Sequence, residues 1–126
     1  MVEGSLDFDR VFQALGDGTR RDVLFRVLQG GLTISELAAR YQMTFAGVAK
    51  HVEVLFKAGL VRKQRQGREQ WVTANSQTVQ QTAALLDSYE QLWRGRLGRL
   101  DNFLEQESTY ERTDDHEGHS EPKTDN

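Results

Sequence analysis

Apolar residues recur at intervals of three and four positions along most of this chain, which predicts a mainly helical protein. A first amphipathic helix is expected over residues 7–15, and a second over residues 20–28 after a glycine-containing break. The same spacing continues in a third helix that begins after Thr33 or Ser35, and in a fourth over about residues 44–57.

Residues with side-chain oxygens are expected to cap these helices by accepting hydrogen bonds from free backbone N–H groups. Thr19 precedes the second helix, and Thr44 precedes the apolar stripe of the fourth. Thr33 and Glu36 have the spacing of a capping box at the third helix.

The third and fourth helices are separated only by a short break at residues 41–43. Ile34 and Leu37 are on the apolar face before the break, and Val48 and Val52 are on the apolar face after it. Two helices joined by a turn of three to four residues form a helix-turn-helix, whose second helix enters the major groove of DNA. The pattern therefore predicts sequence-specific binding of double-stranded DNA.

A β-like pattern follows the fourth helix. Residues 60–65 and 68–73 flank a turn at Gln66-Gly67, which predicts a hairpin, and a hairpin directly after a recognition helix is a wing. Four cations of this wing are candidates for phosphate or minor-groove contact, although a solvated hairpin tip is the alternative. They are Arg62, Lys63, Arg65 and Arg68.

The last predicted element is a long helix over about residues 76–106, which contain no proline and carry a broad apolar stripe. Its length would be about 45 Å. A core built from residues 1–73 cannot cover an apolar face of that length, so the uncovered part needs a partner.

Charge is divided unevenly along the chain. The formal net charge is -3, yet residues 10–73 hold eleven Lys and Arg against five Asp and Glu. The positive charge thus coincides with the helix-turn-helix and the wing, which favours a nucleic-acid partner over an ordinary solvated surface. Residues 108–126 are acidic and polar, and we expect this tail to be disordered.

Residue types that carry most catalysis and metal binding are scarce. The chain has no cysteine, which excludes disulfides, thiolate metal sites and thiol redox sensing. His116 and His119 lie in the acidic tail, where we expect no fixed geometry for a metal ion. No phosphate-binding loop follows a strand, and no catalytic constellation is recognisable, so we predict no enzyme, no metal and no cofactor.

No apolar run approaches the roughly 18 residues of a membrane span. The acidic N-terminus lacks the basic and apolar segments of a signal peptide. We therefore expect a cytoplasmic protein that does not contact the membrane.

Four strings of this sequence, in this order, resemble the ArsR family of winged helix-turn-helix repressors. Residues 14–21 resemble the family's "LADPTRR", residues 34–38 its "VSELA", residues 50–61 its "KHLRVLEEAGLV" and residues 67–71 its "GRRRYY". The resemblance spans about residues 7–107 and implies a winged helix-turn-helix with a long C-terminal dimerisation helix. The folded domain is therefore expected to comprise residues 1–107, with residues 108–126 as a tail.

The resemblance also implies an obligate homodimer, formed by the first and last helices, that binds a palindromic operator and represses transcription. Apolar residues of those two helices are the expected dimer contacts: Phe8, Val11, Phe12, Leu86, Trp93, Leu97, Leu100 and Leu104. Many ArsR proteins sense metals through Cys or through His and carboxylates on the last helix. Cysteine is absent here and the last helix has no His, so we expect metal-independent regulation, with any small-molecule inducer unidentified.

The N-terminal part of the fourth helix is expected to face the DNA bases. Lys50 suits a phosphate or guanine, and Phe45 or Ala46 a thymine methyl group. His51 is expected either to contact DNA or to pack against the third helix. The full expected set on this helix is Thr44, Phe45, Ala46, Gly47, Ala49, Lys50 and His51.

The recognition helix departs from the family pattern in two places, with Gly47 where Ala is common and Ala49 where Ser is common. Ala49 lacks the hydroxyl group that could contact DNA, whereas Gly47 weakens the helix but lets the backbone approach DNA closely. Both changes leave the operator sequence open. The alternative hypothesis is a winged-helix module that binds another protein and has weak or lost DNA binding.

Overall fold

Five α-helices and three short strands make up the part of the chain that the computed structural model describes, residues 6–107. In chain order they are α1 (Phe8–Ala14), α2 (Gly18–Gln29), β1 (Leu32–Thr33), α3 (Ile34–Tyr41), α4 (Phe45–Lys57), β2 (Val61–Gln66), β3 (Glu69–Ala74) and α5 (Ser76–Glu107). The predicted fold class, mainly α with a small hairpin and a long C-terminal helix, is confirmed. The predicted acidic tail, with both of its histidines, lies outside the described residues.

At the start of each of the first four helices, a side-chain oxygen of the N-cap residue accepts a hydrogen bond from a backbone N–H group. At α3 the predicted capping box is present, because Glu36 N donates to Thr33 Oγ1 (3.0 Å) and Thr33 N donates to Glu36 Oε1 (2.9 Å). The predicted cap of α2 is wrong, since Arg20 N donates to Asp17 Oδ1 (3.0 Å) and the helix begins before Thr19. This hydrogen bond lowers the pKa of Asp17, because the charged carboxylate accepts it best.

The strands form a three-stranded antiparallel sheet in the order β1-β3-β2. The sequence predicts only the β2–β3 hairpin, because the two residues of β1 are too few to show a period. Pairing of Leu32 with Val72 ties the start of α3 to the base of the wing. The hairpin turns at Gly67-Arg68, one residue later than predicted, and the φ of Gly67, +64°, suits the first loop position of a type II′ turn.

The described residues fall into two units that are divided between Ala83 and Ala84, and the hydrophobic core lies in the first unit. Leu37 and Leu55 are among its largest fully buried side chains, surrounded by valines from helices and strands. Val11 of α1 is one of these valines and is 0% exposed. This corrects the expectation that Val11 contacts a second copy, because packing within the protomer leaves it no free surface.

In the second unit, large apolar side chains of α5 remain exposed. Each of the following is at least 40% exposed: Leu86, Tyr89, Leu92, Trp93, Leu97, Leu100 and Phe103. A helix buries such a face only against another surface. Within residues 6–107, no helix is both long enough and apolar enough to cross a bilayer.

Candidate nucleic-acid interface

The turn between α3 and α4 sets the direction of the recognition helix. Gln42 adopts the left-handed conformation, with φ +55°, and ends α3. Met43 N then donates to Ala38 O (3.1 Å), which closes the turn in the way a left-handed residue at a helix end permits. The chain can therefore restart at Thr44 as a new helix that packs on α3 through the shared core.

The recognition helix α4 has one buried and one exposed face. Val48, Val52 and Leu55 are buried, as their spacing predicts. Phe45 is 53% exposed, and Lys50 is exposed as well. The first turns of α4 therefore present an aromatic ring and an ammonium group to the solvent.

Thr44 caps α4 in the structure, since Gly47 N donates to Thr44 Oγ1 (3.0 Å). A Cβ atom at Gly47 would lie 3.1 Å from that oxygen and 3.3 Å from the Met43 methyl carbon. The glycine thus leaves room for a close cap at the tip of the recognition helix. Capping and contact with a phosphate are compatible roles for Thr44, because its oxygen can accept while its hydroxyl donates.

His51 is half-buried, and Arg20 of α2 lies beside it. Arg20 Nη1 lies 3.4 Å from His51 Nδ1, and the same guanidinium donates to Ala14 O (2.7 Å) and Gln13 O (3.2 Å). Arg20 therefore links the end of α1 to the recognition helix, a connection that no local sequence pattern indicates.

The wing has two faces because side chains alternate along a strand. Val61 is buried, and Lys63 and Arg65 follow it on the same face, opposite Val72 and Gln70 of β3. This face of the hairpin lies on the side of α4. Arg62, in contrast, lies on the other face of the hairpin.

Between the recognition helix and the wing lies a cleft of about 280 Å³. It is lined by Ile34, Phe45, Ala49, Glu53, Lys63, Arg65, Arg68 and Gln70. One wall is apolar and the other is cationic, which is the combination that a nucleotide strand, with apolar sugar and base faces and anionic phosphates, would contact. The structure thus brings five of the predicted DNA-contacting residues into one site.

Three residues of the cleft were not among the predicted contacts, and one of them, Ile34, is a buried residue of the core. The position of Gln70 in the cleft could have been predicted from the alternation of side chains along β3, because Val72 is buried and residues two apart share a face. Glu53 has no comparable signal, since only the fold places it opposite the wing. Lys63 Nζ donates to Glu53 Oε1 (2.6 Å) and lies 4.6 Å from the centre of the Phe56 ring. The hydrogen bond from Lys63 holds the pKa of Glu53 below its usual value.

Metal ligands do not cluster in the part of the chain that the structure describes. No group of three or more His, Cys, Asp or Glu side chains there could hold a metal ion.

Comparison with known proteins points to regulators of transcription. The uncharacterized HTH-type transcriptional regulator YuzN of Bacillus subtilis is 36% identical over 78 residues, which are 56% of this chain and 85% of that protein. The crystal structure of the ArsR family transcriptional regulator RHA00566 matches with 33% identity and a TM-score of 0.64, over 75% of this chain and 97% of that chain. The chain belongs to the ArsR family of transcriptional regulators. The assignment made from the four sequence strings is confirmed.

Other proteins are similar to parts of this chain. The HTH-type transcriptional regulator Rv2034 of Mycobacterium tuberculosis is 43% identical over 53 residues, which are 42% of this chain and only half the length of that protein. The homodimeric winged helix-turn-helix DNA-binding domain Mb0332 of Mycobacterium bovis has 23% identity and a TM-score of 0.56, over 72% of this chain and 91% of that chain, and shows the fold alone. No family model matches this ArsR chain.

Proposed function

We propose that this ArsR-family protein binds a palindromic operator as a homodimer and represses transcription. The observation that carries the proposal is the cleft between α4 and the wing, where an exposed recognition helix lies beside Arg65 and Arg68. Cations that neutralise phosphates release counterions, so this surface favours DNA at physiological salt. The binding domain would comprise residues 1–107, acting in the cytoplasm where the chromosome is.

In this proposal, base reading depends on few side chains. Phe45 and Ala46 are exposed at the first two positions of α4 and can contact the methyl group of thymine. Lys50 is the long donor on this part of the helix and can reach guanine or a phosphate. Because these contacts are few, DNA shape would supply a large part of the specificity.

Dimerisation would follow from the exposed apolar side chains of α5. Trp93 is 57% exposed and Leu97 40%, and a second copy of the same face could cover them. From α1, Phe12 is 39% exposed and stacks with Phe8 at 6.2 Å, so both remain candidates while Val11 does not. The M. bovis domain with the same fold is homodimeric, which supports a homodimer here. Two recognition helices would then read half-sites about 10 bp apart.

The experiment that tests the proposal is selection of genomic fragments by the purified protein, followed by fluorescence anisotropy on the enriched sequence. We expect a palindromic site and a steep salt dependence that becomes shallower in Arg65→Ala and Arg68→Ala variants. Enrichment of no sequence would refute operator binding and favour the alternative, a module that binds another protein. Repression is tested by transcription in vitro from a promoter that carries the selected site, with and without candidate small-molecule inducers.

A further inference from the structure

Lys63 differs from the other wing cations because its ammonium already has partners within the protomer. It donates to Glu53 Oε1 at 2.6 Å and lies over the Phe56 ring at 4.6 Å. Its side chain is only 27% exposed. Among the described residues, Arg65 and Arg68 take part in no comparable ion pair.

We propose that Lys63 is a positioning residue rather than a DNA contact: paired with Glu53, it holds the wing against the recognition helix and thereby sets the preference for operator over non-specific DNA. The inference rests on the proposed function, since it assigns a role within the same interface.

The geometry places the pair where it can align the wing. Glu53 is ten residues from Lys63 in sequence and belongs to α4, whereas Lys63 belongs to β2, so the contact joins two elements. Arg65 is the next residue outward on the same face of β2 and lines the cleft with Phe45. Fixing Lys63 therefore restricts the directions that Arg65 can take relative to the first turn of α4.

Two residues around the pair, Glu53 and Phe56, differ from the family string. In the string "KHLRVLEEAGLV" that residues 50–61 resemble, Arg stands at the position of Glu53 and Glu at the position of Phe56. A carboxylate on a recognition helix repels phosphate unless a cation neutralises it. Here Lys63 neutralises Glu53, and Phe56 supplies a ring whose face attracts the same ammonium.

The test compares affinity for the selected operator with affinity for a scrambled duplex of equal length, because that ratio cancels the general effect of protein charge. We expect Lys63→Gln and Glu53→Gln each to lower the ratio roughly three- to tenfold, the range that a partly exposed ion pair with a cation–π contact can account for. The exchange Glu53→Lys with Lys63→Glu should restore most of the ratio. The salt slope of Lys63→Gln should match that of the wild type.

Lys57 offers a matched control, because its ammonium lies 3.9 Å from Glu53 Oε2 but belongs to the same helix. Lys57→Gln removes the same charge beside the same carboxylate without touching the wing, so the ratio should not change. Thermal unfolding of each variant checks that the fold is intact.

The opposite results would overturn the proposal. If Lys63 instead contacts a phosphate, Lys63→Gln lowers the salt slope by about 0.9. In that case Glu53→Gln raises the affinity for both duplexes and leaves their ratio unchanged, because it frees the lysine to neutralise a phosphate. The positioning role would also be refuted if the affinity ratio were unchanged in both single variants. The same conclusion would follow if the variant with the exchanged pair had a ratio no higher than that of either single variant.

A DNA-free measurement separates this inference from the proposed function. The ring current of Phe56 should shift the terminal methylene protons of Lys63 upfield in the NMR spectrum, and the shift should disappear in Phe56→Leu and shrink in Glu53→Gln. Absence of the shift would refute the pairing itself. If the shift is present but the wild type prefers no sequence, the proposed operator binding fails and the role in specificity fails with it.

Discussion

Replacement of Tyr41 by Phe tests the link between α2 and the helix-turn-helix. Tyr41 Oη donates to Asp22 Oδ2 at 2.5 Å, and Arg26 Nε donates to the same oxygen at 2.9 Å. A hydrogen bond to a charged acceptor contributes about 1.5–3 kcal/mol when it is shielded from water. The Asp22 side chain is 36% exposed, so water partly replaces the missing donor, and we expect the variant to be less stable by about 1–1.5 kcal/mol.

The pH dependence of this difference follows from both partners. The hydrogen bond from Tyr41 lowers the pKa of Asp22, so this stabilisation is present above the carboxyl's unfolded pKa of about 3.9 and is lost as pH falls through the lower folded value. Burial and the neighbouring carboxylate raise the pKa of Tyr41 to about 12. The contribution of the Tyr41 hydroxyl to the stability of the fold is therefore present below the unfolded pKa of about 10 and is lost as pH rises toward 12.

Urea unfolding followed by circular dichroism, at one fixed protein concentration, measures the difference between wild type and Tyr41→Phe. The difference should be constant from about pH 5 to 9 and should shrink at pH 3 and at pH 11. In an Asp22→Asn background, Tyr41→Phe should cost less than half as much. A cost below about 0.3 kcal/mol at pH 7, or one that is equal at pH 3 and pH 7, would refute the reasoning.

Further predictions concern the proposed interfaces and the turn. Arg65→Ala should lower the slope of log affinity against log salt by about 0.9 for each phosphate that the guanidinium neutralises, measured by anisotropy, and an unchanged slope would contradict its phosphate role. Joint replacement of Leu97 and Leu100 by Glu should give a monomer that does not bind the operator, because two charges cannot be buried in an apolar interface; a folded, dimeric variant in sedimentation would refute that interface. Substitution of deoxyuridine for thymidine, one position at a time, should identify a methyl group whose removal weakens wild-type binding about three- to tenfold but does not affect Phe45→Ala, and equal effects on both proteins would exclude that contact. Gln42→Gly should raise the stability by up to about 1 kcal/mol in thermal unfolding, since glycine adopts the left-handed conformation without a steric cost, whereas a decrease would show that the Gln42 side chain stabilises the turn.

The order of elements was predictable because each one has a local signature. The period of α4 and the capping box at Thr33 both depend on residues within one or two helical turns. The start of α2 was predicted wrongly because Asp17 and Thr19 are both good caps, and only the backbone decides between them. Strand β1 was missed because two residues have no period, and its partner β3 follows only after two helices and another strand.

The sequence by itself determined the helix-turn-helix, the basic wing and the family, since periodicity, charge and short strings need no tertiary contact. Only the tertiary structure decided which of the candidate side chains remain available to contact DNA or a second copy. Val11 is buried in the core, His51 lies beside Arg20, and Lys63 forms an ion pair with Glu53 of α4. These contacts depend on distances between elements that are far apart in sequence. For that reason the sequence predicted intermolecular contacts for all three side chains, whereas the structure gives each of them a partner within the protomer.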